Sequence, residues 1–174
     1  MATMNKDRLM GTEGRLETVE GIIGISFKEK RLLELALRQH IKSRRDLVYV
    51  YSFTTPDNSS VQRAISVRFL QTFGDAVLRF LAYDDSVRLS STVIRRPPEE
   101  ITNKHLARIF DSFGLAQFLE VDNPNVEISL NDIGKGNVVE ALLAAVYLDK
   151  GVDEARKFFL KIKTNLPMLH QPVS

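Results

Sequence analysis

Gln71 and Asp75 stand four residues apart in RFLQTFGDAVLRFLA, residues 68 to 82, and Asn137 and Glu140 stand three apart in NVVEALLAAVYLDKG. On a helix either spacing puts both side chains on one face. A carboxylate placed among Phe73, Ala76, Val77 and Leu78 is costly unless a partner or a cation holds it. Two such helices packed side by side offer oxygen ligands for a hard divalent ion such as Mg²⁺. An ion held there activates water against a phosphodiester. The plainer reading makes all four residues solvated positions on amphipathic helices. Apolar residues on both sides of Asp75 on the helix wheel, and the run ALLAAVYL directly after Glu140, weaken that reading.

The elements that must position these residues are helical. In SFKEKRLLELALRQ, Ser26 and Glu29 have capping-box spacing, and Leu32, Leu33, Ala36 and Leu37 fall on one side. Residues from about Ile65 to Leu89 form a nearly apolar helix, expected to be buried all round. Pro97 and Pro98 break the chain. TNKHLARIFDSFGLAQFLEV reads as a capped helix ending near Gly114, followed by a short second one. DNPNVEISLNDIGKG is a polar loop, NVVEALLAAVYLDKG a helix stopped by Gly151, and VDEARKFFLKIKTNL an amphipathic last helix stopped by Pro167. LVYVYSFTT is strand-like, but in a helical chain it reads as an excursion rather than a sheet. The expectation is one all-α domain.

Composition narrows the setting. The 174 residues are 44% apolar and 26% charged, with a formal net charge of +2 and no cysteine. This fits one domain with a core of its own. No apolar run reaches the roughly 18 residues that span a bilayer. The small net charge confines any nucleic-acid contact to local patches. Without cysteine there is no disulfide framework and no zinc-finger spacing. The first residues have no apolar core of signal-peptide length, which argues against secretion, and Asp7, Glu13, Glu17 and Glu20 weigh against a mitochondrial transit peptide. The expected setting is intracellular: mitochondrial, cytoplasmic or nuclear.

FLQTFGDAVLRFLA resembles the signature helix of the ribonuclease III family, which usually has Glu where Gln71 stands. GNVVEALLAAVYLDKG resembles the family's second acidic helix, usually with Asp at the position of Asn137 and Glu at that of Glu140. The interval between the two matches as well. IIGISFKEKRLLELAL is similar to the opening helix, and ITNKHLARIFDSFGLAQFL to the middle segment. Together these stretches cover roughly residues 17 to 162 in the family's order. The resemblance implies a compact all-helical endonuclease-type domain. It also implies four acidic side chains gathered from two helices around Mg²⁺, paired in a dimer that cuts both strands of an RNA duplex. By that resemblance Asp75 and Glu140 are the retained catalytic and metal-binding acids. Gln71 and Asn137 occupy the two altered ligand positions.

Each of those two changes keeps a carbonyl oxygen and removes a negative charge. Halving the carboxylates weakens the hold on a divalent ion by at least about 1 kcal/mol per charge. Arg68 stands where the family usually has another Glu. Thr72 replaces a Phe that plugs the partner subunit, and Arg38-Gln39 replace Thr-His. Arg68 and Thr72 also argue for natural divergence over deliberate substitution. The expected boundaries are an extension over 1–16, the ribonuclease III-like domain over 17–165 with an insertion at about 41–64, and a tail over 166–174.

Two functions follow. One is a catalytically impaired domain that holds structured or double-stranded RNA, as the family's relatives in the mitochondrial large ribosomal subunit do, or that pairs with an active subunit. It needs no cofactor, and its RNA contacts would come from Lys42, Arg44, Arg45, Arg95 and Arg96. The other is an active Mg²⁺-dependent double-strand endoribonuclease, alone or in a heterodimer. Either implies a ribonuclease III-like partner subunit, as a homo- or heterodimer, and neither a membrane nor a small-molecule substrate.

Overall fold

The computed structural model describes residues 11–39, 48–54, 56–91, 98, 101–121 and 129–164. Among the described residues six α-helices carry the fold: α1 (Thr12–Ile23), α2 (Lys30–Ala36), α3 (Val67–Leu89), α4 (Asn103–Ser112), α5 (Asp132–Lys150) and α6 (Val152–Thr164). The chain is mostly helical, as its periodicity predicts.

The helix buried on every side is α5. Val138, Val139, Ala141, Leu142, Leu143, Ala144, Ala145 and Val146 are all buried, and α2, α3, α4 and α6 pack around them. Alanines at three of these positions let the neighbouring helices approach closely. Asn131 caps α5 by accepting from the Gly134 N–H at 2.9 Å. The helix therefore begins inside the stretch whose composition reads as a polar loop. Gly151, at φ 83°, ends it in the expected place.

The reading of α3 as buried all round is not what is seen. Leu70, Gly74, Val77, Leu78 and Leu81 face the core, whereas Phe69, Phe80, Tyr83, Val87 and Leu89 are exposed. An apolar run does not say how many neighbours a helix has, and here only one stripe of α3 meets α5. Phe73 ties the two together with an edge-on contact to Tyr147, ring centres 5.5 Å apart. Two acids near the end of α3 are held by α6: Asp84 accepts from Arg156 at 2.8 Å, and Asp85 from Lys163.

The strand-like stretch is also paired. β2 (Val48–Thr54) runs antiparallel to β3 (Ser60–Ser66), from Val48 opposite Ser66 to Thr54 opposite Ser60. Residues 65 and 66 thus belong to a strand, and α3 starts only at Val67. The Pro-Asp-Asn-Ser cluster makes the turn. Asp57 Oδ1 accepts from the Ser59 N–H at 3.2 Å, and Asn58 adopts φ 63°, a left-handed conformation Asn tolerates. The hairpin was missed because the second strand, SVQRAIS, is not rich in apolar residues.

The start of α2 is capped from afar rather than by a local box. Glu29, not Ser26, is the N-cap residue. The backbone N–H groups of Lys28 and Glu29 donate to the carboxylate of Asp149 at 2.9 and 2.8 Å, which moors α2 to the end of α5. After α4 and its left-handed Gly114 comes the expected short helix, a 3₁₀ turn over Leu115–Phe118. β4 (Glu120–Val121) then pairs in parallel with β1 (Arg38–Gln39). Arg38 sits there beside Glu120 at 3.6 Å, with Arg15 of α1 on the same carboxylate at 3.3 Å. His105 of α4 is buried, its Nε2 3.0 Å from the Ile162 carbonyl of α6.

Candidate functional site

The crossing of α3 and α5 is set by Gly74. A Cβ there would lie 1.9 Å from the carbonyl oxygen of Glu140 and 2.9 Å from its Cα. The two backbones touch at this point, and no larger residue fits. Asp75 follows Gly74 directly, so the contact that admits only glycine also brings Asp75 beside Glu140.

A cleft of ≈ 580 Å³ opens over this crossing. Gln71 and Asp75 line it from α3, and Asn137 and Glu140 from α5. The four residues singled out by type and spacing are thus gathered on one site. Arg68, Thr72 and Arg79 join them from α3, with Ile101, Thr102 and Asn103 from the start of α4. Thr102 caps α4, accepting from the His105 N–H. Gly136 of α5 leaves room for Asn103, whose Oδ1 a Cβ at Gly136 would approach to 2.9 Å.

The two acids are in different states. Asp75 is half-exposed and accepts from Arg79 Nε at 3.1 Å, one turn along the helix. The cost of a lone buried carboxylate therefore does not arise at Asp75. It arises at Glu140, which is 8% exposed and has no hydrogen bond or ion pair among the described residues. Burial pushes its carboxyl up to about 7, and the neighbouring Asp75 charge adds to the rise while Arg79 opposes it.

This donor set does not fit a resident divalent ion. Asp75 and Glu140 supply two negative charges, and Arg68 and Arg79 put two positive ones in the same cleft. Gln71 and Asn137 contribute only neutral oxygens. Among the described residues, no three His, Cys, Asp or Glu side chains come together in a way that would hold a metal.

Sequence reasoning passed over Arg79, Thr102 and Asn103. Arg79 was recoverable from its i+4 spacing to Asp75. Thr102 and Asn103 reach the cleft through the tertiary fold alone. Lys42, Arg44, Arg45, Arg95 and Arg96, expected to meet RNA, lie outside the described residues. Among the described residues no helix is long and apolar enough to cross a membrane.

No family profile matches the chain. Curated relatives do. Ribonuclease 3 of Rhizobium meliloti (strain 1021) is 28% identical over 165 residues, covering 90% of this chain and 61% of that protein. Ribonuclease 3 of Sinorhizobium fredii is 29% identical over 161 residues, covering 91% and 62%. The chain thus spans about three fifths of the length of these relatives. Two solved structures of the nuclease domain of ribonuclease III from Campylobacter jejuni share the fold. One superposes with a TM-score of 0.63 at 20% identity, covering 88% of this chain and 99% of that one. The other has a TM-score of 0.59 at the same identity, covering 88% and 97%.

Proposed function

We propose that this chain, which carries a ribonuclease III-family domain, holds structured or double-stranded RNA without cutting it. In this reading it is a structural subunit of a ribonucleoprotein such as the mitochondrial ribosome. The observation that carries the proposal is the charge of the cleft. Where the family's pattern has four acids, two amides and two acids face two arginines. The attraction that would concentrate a divalent ion is cancelled within the site, and the water such an ion activates is lost with it.

The partner subunit is a second ribonuclease III-like domain, and the exposed apolar face of α3 is where it packs. Phe69 is 46% exposed, Phe80 53% and Tyr83 55%, a row of exposed aromatic side chains of the kind that marks an interaction surface.

The test is cleavage of long double-stranded RNA in Mg²⁺ and in Mn²⁺, with binding followed on the same RNA. The expected result is a retained complex and RNA of unchanged length. Cutting that disappears in Asp75→Ala would overturn the proposal.

A further inference from the structure

Replacing a carboxylate by an amide does more than remove charge. An ionised carboxylate only accepts hydrogen bonds, whereas an amide also carries two N–H donors. Gln71 and Asn137 therefore bring donors to a cleft floor that would otherwise only accept, and Asn103 brings a third amide at its edge. The charges sort in the same direction. Arg79 is engaged by Asp75, and Glu140 is recessed between α3 and α5. Arg68, exposed and one turn before Gln71, makes no ion pair among the described residues while it lines the same cleft. The first turn of the ten-residue α4 also opens here, through Thr102 and Asn103, and adds the positive end of its dipole. An exposed guanidinium, amide donors and a helix start within one cleft suit an anion with several oxygens. The guanidinium fork matches two phosphate oxygens at once.

We propose that the cleft takes a backbone phosphodiester of duplex RNA directly, on Arg68 and the amides of Gln71, Asn137 and Asn103, with no divalent ion between. This rests on the RNA-holding reading above. The residue exchanges have turned a site's preference from cation to anion, so the RNA it holds needs no metal.

The experiment is a titration of a fluorescent RNA duplex by anisotropy, in EDTA and in Mg²⁺, over a series of salt concentrations. The intact chain binds equally well in both. Arg68→Ala weakens binding about ten- to a hundredfold, the value of a hydrogen bond to a charged group, and makes the salt dependence shallower by about one charge. Arg68→Lys keeps the salt dependence but loses affinity, because it keeps the charge and loses the fork. The double variant Gln71→Glu/Asn137→Asp binds about tenfold or more weakly in EDTA and recovers in Mg²⁺. Arg68 is exposed, so its variants keep the fold, which a thermal melt checks.

RNA binding by the intact chain that is lost in EDTA overturns this proposal. So does binding whose affinity and salt dependence are untouched by Arg68→Ala. Either result leaves the RNA-holding reading standing, with the contact elsewhere on the surface. An intact chain that binds no duplex overturns both.

Discussion

Gly74→Ala should damage the protein far more than a helical glycine-to-alanine change ordinarily does. The added methyl would lie 1.9 Å from the Glu140 carbonyl oxygen and 2.4 Å from its carbon, against ordinary contacts beginning at 3.4 Å. Both groups are backbone or fixed directly to it, so neither rotates away. The helices must part by about 1.5 Å in an interior that packs like a crystal. Overpacking of this kind costs about 1–3 kcal/mol and sometimes more. The gain in helix propensity on replacing glycine returns up to about 1 kcal/mol. A backbone-to-backbone overlap this deep puts the cost at the upper end of that range or beyond it, so the net expectation is a loss of about 2 kcal/mol or more, or a fall in Tm of at least about 4 °C for a chain of this size. Gly21→Ala in α1 is the matched control, because a Cβ there meets nothing within 4 Å. It should stabilise by about 0.5 kcal/mol. Thermal and urea unfolding of both variants, followed by circular dichroism, decide the matter. Should Gly74→Ala unfold within about 0.5 kcal/mol of the parent, the close crossing would be refuted, and with it the geometry that sets Asp75 beside Glu140.

Stability should fall as pH rises. Glu140 is raised from 4.5 to about 7 in the folded chain, so the folded state binds more protons than the unfolded between those values. The loss accrues through that window and is level above it, about 2 kcal/mol once solvent reaching the cleft is allowed for. Urea unfolding at pH 5 and pH 8 measures it, and Glu140→Gln should flatten the difference and be the more stable protein at pH 8. Asp149→Ala removes the acceptor of two backbone N–H groups at the start of α2, costing about 2 kcal/mol. Hydrogen exchange at Lys28 and Glu29 should rise with it, and Asp149→Asn should lose less. Phe80→Glu on the open face of α3 should leave the melting temperature of a dilute sample within a few degrees and abolish any dimer seen by light scattering.

The acidic helices and their partners at i+3 and i+4 were legible because helix spacing is a local rule. Gln71, Asp75, Asn137 and Glu140 do meet in one cleft. Local rules fail where the answer depends on what lies opposite. GDAV does not say that Gly74 faces the Glu140 carbonyl, nor does LDKG say that Asp149 caps α2. The apolar run of α3 resembled that of α5, yet only α5 is enclosed, since burial depends on the number of neighbours. Asp75 looked like the costly buried acid. The structure gives that place to Glu140, because Asp75 is bonded to Arg79 and half-exposed whereas its neighbour is 8% exposed. The hairpin escaped notice because β3 is a polar strand that only its pairing reveals.

We propose that this cleft has lost its hold on a divalent ion. Anomalous scattering from RNA-free crystals soaked in Mn²⁺ tests it most directly, with crystals of Gln71→Glu/Asn137→Asp soaked alongside. No Mn²⁺ peak is expected between Asp75 and Glu140 in the parent chain, and a clear one in the variant. A fully occupied ion bridging those two carboxylates in the parent would contradict it.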